Sequence, residues 1–91
     1  MIYSIQIARL SDVIFQTGLS KTTIWSRVRD GKFVPQIKLS GRASGYIQSE
    51  VDAVLTAMAG GLSDDDIRTL VSKLIELRKQ NANQLFTDLA A

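Results

Sequence analysis

The chain has 91 residues and a formal net charge of +2 at pH 7, and its hydrophobic fraction of 45% is enough to build one small core. It contains no cysteine and no histidine, which excludes disulfides, thiol chemistry and the usual zinc sites. No apolar run is long enough to cross a membrane and no secretory signal opens the chain, so we expect a soluble, cytoplasmic protein without metal or cofactor.

The first eight residues, Met1 to Ala8, favour a short strand. Tyr3, Ile5 and Ile7 alternate with smaller or polar residues, which is the period of a half-buried strand. A loosely packed arm fits the same pattern.

Two short helices joined by a tight turn are predicted next. The first opens at Ser11, whose hydroxyl can cap the first turn, and stops near Thr17 because Gly18 accepts a left-handed backbone. The second opens at Ser20 and ends at Asp30–Gly31. Helices separated by so few residues cross at a steep angle, as in the helix-turn-helix arrangement that sets a second helix into the DNA major groove.

The second helix is predicted to be anchored by Ile24 and Val28, which lie four residues apart on one face. Trp25 follows Ile24 and is therefore turned by about 100° toward the flank, whereas Phe15 on the first helix is predicted to fill the core. The remaining outer or marginal side chains can pair with phosphates, base edges or sugars. These candidate DNA contacts are Lys21, Thr22, Thr23, Trp25, Ser26 and Arg29.

A small hairpin follows the second helix. Pro35 forces an extended backbone, Gln36 to Leu39 alternate as in a strand, Ser40 to Gly45 form a turn, and Tyr46–Ile47 resume a strand. A basic hairpin beside a recognition helix is typical of a wing, whose arginine can reach a phosphate or the minor groove. The side chains predicted to face inward are Ile37, Leu39 and Ile47. Those predicted to stand out and contact DNA are Lys38, Ser40 and Arg42.

Charge supports this interpretation. Between Lys21 and Arg42 there are six basic residues and one acid, a local charge of +5, whereas the segment from Gly60 onward is slightly acidic. A basic segment confined to one substructure indicates a polyanion binder.

A third helix is predicted from Gln48 or Ser49, either of which can cap it. Its apolar residues recur at helical spacing and define the buried stripe. They are Val51, Val54, Leu55 and Met58.

From Arg9 to Met58 the chain resembles the AlpA family of small phage and prophage transcriptional regulators, which are related to excisionase-type and MerR-like winged helix-turn-helix domains. The order and spacing of short motifs carry the resemblance. These motifs are Thr17–Ser20 followed by Thr23–Ile24, Asp30–Pro35, Lys38–Leu39, the Gly41–Arg42 turn, Gly45 before an aromatic residue, and Ser49–Ala53.

The resemblance implies sequence-specific binding to double-stranded DNA in the control of prophage or genomic-island genes, often including integrase expression and excision. Three positions depart from the family pattern: Trp25 stands where tyrosine is usual, Tyr46 where many relatives have tryptophan, and Arg27 where an apolar residue is common. The family positions carried over to this chain are Lys21, Thr22, Trp25, Ser26 and Arg29 on the recognition helix and Arg42 on the wing.

A long amphipathic helix is predicted after Gly60–Gly61, capped by Ser63 and ending near Arg78 and Lys79, with Leu85, Phe86 and Leu89 resuming the pattern or fraying. Two interpretations stay open: residues 60–91 cover the core of a winged domain formed by residues 1–59, or they turn away at the glycines and form a homodimer. The apolar residues of this helix are Ile67, Leu70, Val71, Leu74, Ile75 and Leu77, and all but Ile75 are assigned to the homodimer contact.

The predicted fold is thus mainly α with a small β-hairpin, a winged helix-turn-helix followed by a C-terminal amphipathic helix. The predicted function is transcriptional regulation through double-stranded DNA, with no small-molecule ligand. The alternatives are an excisionase-like factor that bends DNA for an integrase, and an adaptor whose basic face binds an acidic protein. An enzyme is not expected, because no paired-carboxylate or nucleophile constellation is present.

Overall fold

Four helices and three short strands make up residues 4–90, the part of the chain that a computed structural model describes. The mainly helical architecture with a small antiparallel sheet agrees with the prediction, and such an arrangement is compatible with a small helix-turn-helix fold. In chain order the elements are β1 (Ile7–Ala8), α1 (Leu10–Thr17), α2 (Lys21–Arg29), β2 (Ile37–Ser40), β3 (Ala43–Ile47), α3 (Gln48–Ala59) and α4 (Asp64–Ala90).

Helix α1 begins at Leu10 after an N-cap at Arg9, two residues before the predicted cap at Ser11. The Asp12 carboxylate accepts the backbone N–H of Arg9 at 3.0 Å, and Ser11, predicted as the cap, lies inside the first turn. The end was predicted correctly: Gly18 has a φ of 70° and its N–H donates to the Ile14 carbonyl at 2.9 Å.

Helix α2 has the predicted boundaries. The Ser20 hydroxyl accepts the backbone N–H of Thr23 at 3.1 Å, and the chain leaves the helix through Asp30 and Gly31, whose φ is 77°. Ile24 is fully buried and anchors the helix in the core, as predicted.

The sheet has the strand order β1-β3-β2. Gly41 and Arg42 alone form the hairpin turn, so the predicted turn was too long: Ala43 and Ser44 belong to β3 and pair with Ser40 and Lys38. The predicted N-terminal strand reaches only Ile7–Ala8, and the Tyr3 position of that prediction lies outside the described residues.

Gly45 allows β1 to lie close against β3. A Cβ at this position would collide with the Ile7 side chain and lie 3.1 Å from the Ala8 carbonyl oxygen. The absence of a side chain therefore permits the pairing that holds the N-terminal strand beside the hairpin.

The core lies between the sheet and the helices. Phe33 and Tyr46 are each 1% exposed, and their rings pack edge to face with centroids 5.9 Å apart. Phe15 was predicted to be in the core, and this was wrong, since it is 90% exposed. The buried apolar residues are Ala8, Val13, Ile24, Phe33, Val34, Tyr46, Val51, Val54, Ala57, Ile67 and Val71.

Helix α3 follows β3 without a loop. Ile47 precedes the first turn and offers no side-chain cap, so the predicted caps Gln48 and Ser49 lie within the helix instead. The backbone N–H of Gln48 donates to the Gln6 carbonyl at 2.9 Å, so the N-terminal segment satisfies one donor of this helix end. The predicted stripe is correct, with Val51 and Val54 buried and its other members packed against the core.

Helix α4 is 27 residues long and continues past its predicted end to Ala90. The Ser63 hydroxyl accepts the Asp66 backbone N–H at 3.1 Å, as predicted for the cap. Ile67 and Val71 are buried, so the first half of α4 covers the core, whereas all residues from Phe86 to Ala90 are exposed. Within residues 4–90, no helix combines the length and apolar character needed to span a bilayer.

Candidate nucleic-acid interface

The outer face of α2 is polar, basic and exposed. With Ile24 fully buried and Val28 packed against the core, the opposite face of this nine-residue helix points to solvent. Trp25 is 51% exposed, on the flank where the sequence predicted it. Among the predicted contacts on α2, Ser26 is half-buried and the exposed ones are Lys21, Thr22, Thr23, Trp25 and Arg29.

Two pairs of side chains order this face one helical turn apart. The Lys21 Nζ lies 4.6 Å from the centre of the Trp25 ring, a cation–π contact at the i, i+4 spacing. Arg29 donates to the Ser26 hydroxyl at 3.2 Å and pairs with Asp30 at 3.3 Å. Because these contacts are solvent-exposed, each stabilises the helix little, and the cations can exchange them for a phosphate.

Two of the α2 side chains, those of Thr23 and Arg27, make contacts within the domain. The Thr23 hydroxyl accepts a hydrogen bond from Ser20 at 2.9 Å, so it belongs to the helix cap. Arg27 donates to the Lys32 carbonyl at 3.2 Å, and its Nε is buried with no hydrogen-bond partner among the described residues. Arg27 therefore lies over the edge of the core and does not extend the basic face.

The hairpin presents a second polar and basic surface. Arg42 lies in the two-residue turn, and β2 carries an irregularity between Lys38 and Ser40. The predicted contacts Lys38, Ser40 and Arg42 are all exposed.

Arg9 is a basic residue near the hairpin that the sequence pattern did not single out. Its guanidinium donates to the Ser44 carbonyl at 2.9 Å and so joins the start of α1 to β3. It stands outside the basic segment that begins at Lys21, so only its place directly before α1 could have drawn attention to it.

Contacts from other helices fix the position of α2. Arg68 of α4 donates to the Asp30 carbonyl at 3.1 Å, at the C-terminal end of α2, and Lys32 lies 3.7 Å from Asp64. Within residues 4–90, no hydrogen bond or ion pair joins the outer α2 side chains to those of the hairpin turn, so the structure presents two separate groups of candidate contacts.

A polar network couples α1 to α3. The Asp52 carboxylate accepts bonds from the Gln16 and Gln48 amides at 2.8 and 2.9 Å, and Gln48 also donates to Gln16 at 2.8 Å. The helix pair α1–α2 is thereby fixed against the rest of the domain, which is what a rigid reading surface needs.

The described residues contain no cluster of three or more potential metal-ligating side chains. Burial raises the pKa of the Tyr46 phenol, and a hydrogen bond from Gln36 partly offsets this. Since Tyr46 lies in the core, the shift concerns stability and not the exposed face.

Comparison with known proteins identifies relatives for the first part of the chain. The family model of the prophage CP4-57 regulatory protein, AlpA, matches residues 6–56, from β1 to the last turn of α3. An uncharacterized protein of Enterobacteria phage P4, ORF88, is 36% identical over 53 residues, which cover 58% of this chain and 60% of the phage protein. No solved structure matches the chain significantly.

Proposed function

The chain belongs to the AlpA family of phage-type regulatory DNA-binding proteins, and we propose that it regulates phage or prophage genes by binding a specific double-stranded site in the host cytoplasm. The observation that carries the proposal is the outer face of α2, which is anchored from below by fully buried Ile24 and presents hydroxyl, ammonium and guanidinium groups to solvent. It acts by occupying DNA, without catalysis.

In this proposal α2 is the recognition helix of a winged helix-turn-helix unit formed by residues 1–59. Its N-terminal residues, Lys21 and Thr22, enter the major groove, and Ser26 and Arg29 follow one turn later. Hydroxyl groups at Thr22 and Ser26 read base edges, whereas the cations of Lys21 and Arg29 bind phosphate or guanine.

The hairpin acts as the wing. Arg42 at its turn, with Lys38 and Ser40 beside it, binds the phosphate backbone or the adjacent minor groove. These contacts add affinity without adding much sequence preference. In this proposal α2 therefore supplies the sequence specificity and the hairpin supplies additional affinity.

Trp25 has a different role in this proposal. Since Lys21 lies over its ring at 4.6 Å, the indole holds that ammonium at the start of the recognition helix. Its ring edge then packs against a sugar or a phosphate at the groove margin.

We include a homodimer in the proposal, because a helix-turn-helix protein reads a two-fold site with two copies. Residues 60–91 supply the contact. Ile67 and Val71 are buried in the chain's own core, so the association uses later residues of α4.

Selection of bound duplexes from a random pool tests the function. We expect an enriched sequence with two related half-sites, and affinity for it should fall with salt at a log–log slope of about −4 to −5 if about four to six phosphates are bound. No enrichment together with a shallow slope would overturn the proposal in favour of an adaptor. A strongly bent bound duplex would favour the architectural role.

Matched variants separate the two surfaces. Thr22→Ala should change the selected sequence, whereas Arg42→Ala should weaken selected and random duplexes alike. Thr87→Ala on α4, also an exposed threonine, serves as the control and should change neither. If Arg42→Ala leaves both affinities unchanged, the wing assignment is wrong.

A further inference from the structure

An apolar groove of about 500 Å³ lies between the sheet and the second half of α4. Side chains of the N-terminal segment and the strands form one wall, and α4 forms the other. The apolar residues that line it are Ile5, Ile37, Ile47, Leu74, Leu77, Ala82 and Leu85.

The groove carries no net charge. Its charged wall residues are Glu50 and Arg78, which neutralise each other through a bidentate pair that includes an Nε to Oε2 bond of 2.8 Å. Arg78 also donates to the Pro35 carbonyl at 2.8 Å, so both its Nε and its Nη2 are engaged. An apolar, nearly uncharged segment is therefore the occupant that this groove matches.

The end of α4 is such a segment. Ala82, Leu85, Phe86 and Leu89 recur at the i, i+3, i+4, i+7 spacing of one helical face. Phe86 and Leu89 are 75% and 76% exposed, and every residue from Phe86 to Ala90 is solvent-exposed. Because short helical segments depend on tertiary packing for their stability, an apolar partner surface would stabilise this end of the helix.

The groove and the apolar end are continuous, since Ala82 and Leu85 belong to both. We propose that the occupant is a second copy of the chain, with the two α4 helices antiparallel across a two-fold axis near residue 83. Phe86 and Leu89 of each copy then lie against Leu77 and Ala82 of the other and fill its groove. A single two-fold rotation thus covers the groove and the apolar helix end of both copies.

The buried area fits a modest dimer. The large apolar side chains left exposed at this surface are Ile5, Leu77, Phe86 and Leu89, at 65%, 47%, 75% and 76%. Covering them removes roughly 400–600 Å² per copy, so about 1,000 Å² in total, at the lower bound for a specific interface. The dimer should therefore dissociate on dilution and become tighter when two half-sites hold both copies.

This inference rests on the homodimer within the proposed function, and it is tested without DNA so that the two can fail separately. Sedimentation equilibrium of the full chain over a wide concentration range should show a reversible monomer–dimer equilibrium. Leu89→Asp should shift it to monomer by at least tenfold in concentration. Thr87→Asp introduces the same charge on the opposite side of the helix and should leave it within about twofold.

Mixing two variants tests the groove itself. Phe86→Asp damages the helix end and Ile5→Asp damages the groove, so each variant alone should be monomeric. A mixture of the two retains one intact contact, between the groove of the first variant and the helix end of the second. We expect the mixture to form a weak heterodimer, detected by energy transfer between differently labelled copies.

Three results would overturn the inference. One is a parent chain that stays monomeric at all concentrations. If such a chain dimerises only after residues 1–3 are removed, the groove would be assigned to the chain's own N-terminus. Another is a dimer insensitive to Leu89→Asp. The third is a dimer insensitive to Ile5→Asp, which would indicate helix pairing away from the groove. If specific DNA binding persists while association is lost, the proposed function stands and only the dimer falls.

Discussion

Helix α2 and the last turns of α4 both present side chains to solvent, but with opposite chemistry. The α2 face carries hydroxyl and cationic groups over a buried anchor, whereas the end of α4 carries Phe86 and Leu89, which are 75% and 76% exposed. A solvated polar face suits a polyanion such as DNA, while an exposed apolar face gains free energy only when another apolar surface covers it. The difference shows that the chemistry of an exposed face, and not its exposure, indicates the partner.

The two regions are also held differently. Helix α2 is short but fixed at both ends, by the Ser20 cap and by the Arg68 bond to Asp30. Helix α4 is fixed along its first half and at Arg78, and its final turns extend beyond the last of these contacts. Long-range side-chain contacts thus hold the surface proposed to bind DNA, and the last of those described for α4 is at Arg78.

Removing Arg78 should have the largest effect and tests where the fixed part of α4 ends. Arg78→Met leaves Glu50 as a buried carboxylate without its cation, which should lower the free energy of unfolding by about 3–5 kcal/mol. Urea denaturation followed by circular dichroism measures this. Lys79→Met, at an adjacent exposed position, should change it by less than about 0.5 kcal/mol. A small loss in both variants would mean that the ion pair does not join α4 to the domain.

Removing the two serine caps compares the helices directly. Ser20 and Ser63 each accept a backbone N–H at 3.1 Å, so alanine at either position should cost about 1 kcal/mol of stability. Only Ser20→Ala should weaken DNA binding beyond its stability loss, because it loosens the start of the recognition helix. Equal effects of both variants on DNA affinity would break the proposed division between the two helices.

Trp25 is the only tryptophan, so the intrinsic tryptophan fluorescence reports on the exposed face of α2. Acrylamide should quench its fluorescence strongly in the isolated protein and less when specific DNA is bound. The matched probe is Phe86→Trp in a Trp25→Phe background, which should be protected by raising the protein concentration and not by a duplex that carries a single half-site. Protection of both probes by that single half-site duplex would contradict the comparison.

Titration of Tyr46 should have the smallest effect and reports on the core that α2 and the first half of α4 cover. Burial raises the pKa of its phenol above the ordinary value near 10 that the unfolded chain has. The folded state therefore keeps its full stability below about pH 10 and loses part of it as pH rises through the raised pKa. Tyr46→Phe should remove this loss, and Tyr3→Phe isolates the Tyr46 signal in an absorbance titration. An unchanged pH slope in Tyr46→Phe would assign the loss to other groups.

Local signals made much of α2 and the hairpin, the region proposed to bind DNA, predictable from the sequence. The Ser20 cap, the Gly18 turn and the Ile24 anchor depend on neighbours within one or two turns, so the sequence pattern is sufficient to place them. The hairpin was predicted for the same reason, but its turn was made too long, because Ser44 and Gly45 are typical turn residues that cross-strand pairing holds in β3.

The errors in the predicted fold arise where the type of a residue was given more weight than its position along the helix. Phe15 lies two residues after fully buried Val13, so it points about 200° away from the inner face of α1. Its aromatic character favoured the core, but the helical phase decides its exposure. The caps proposed for α3 failed because that helix follows a strand directly, and the backbone N–H of Gln48 donates to the Gln6 carbonyl of the N-terminal segment.

Long-range partners could not be predicted. Glu50 and Arg78 are separated by 28 positions, and nothing local distinguishes them from solvated charges on helix surfaces. The sequence left open whether the helix continues beyond Lys79, and the structure extends α4 to Ala90. Asn81 and Asn83 each lower helix propensity by only a few tenths of a kcal/mol, which is too little to end a helix.

The sheet order has a consequence for solubility. With β3 in the centre, the outer edge of β2 has no strand beside it among residues 4–90, and an open edge of this kind can recruit a strand from another chain. The irregularity between Lys38 and Ser40 breaks the regular spacing of its backbone groups, and the Lys38 ammonium would have to approach a neighbouring copy of itself. The same lysine that is proposed to bind phosphate thus opposes aggregation through edge-strand pairing, which is a different route of association from the helix contact proposed for the dimer.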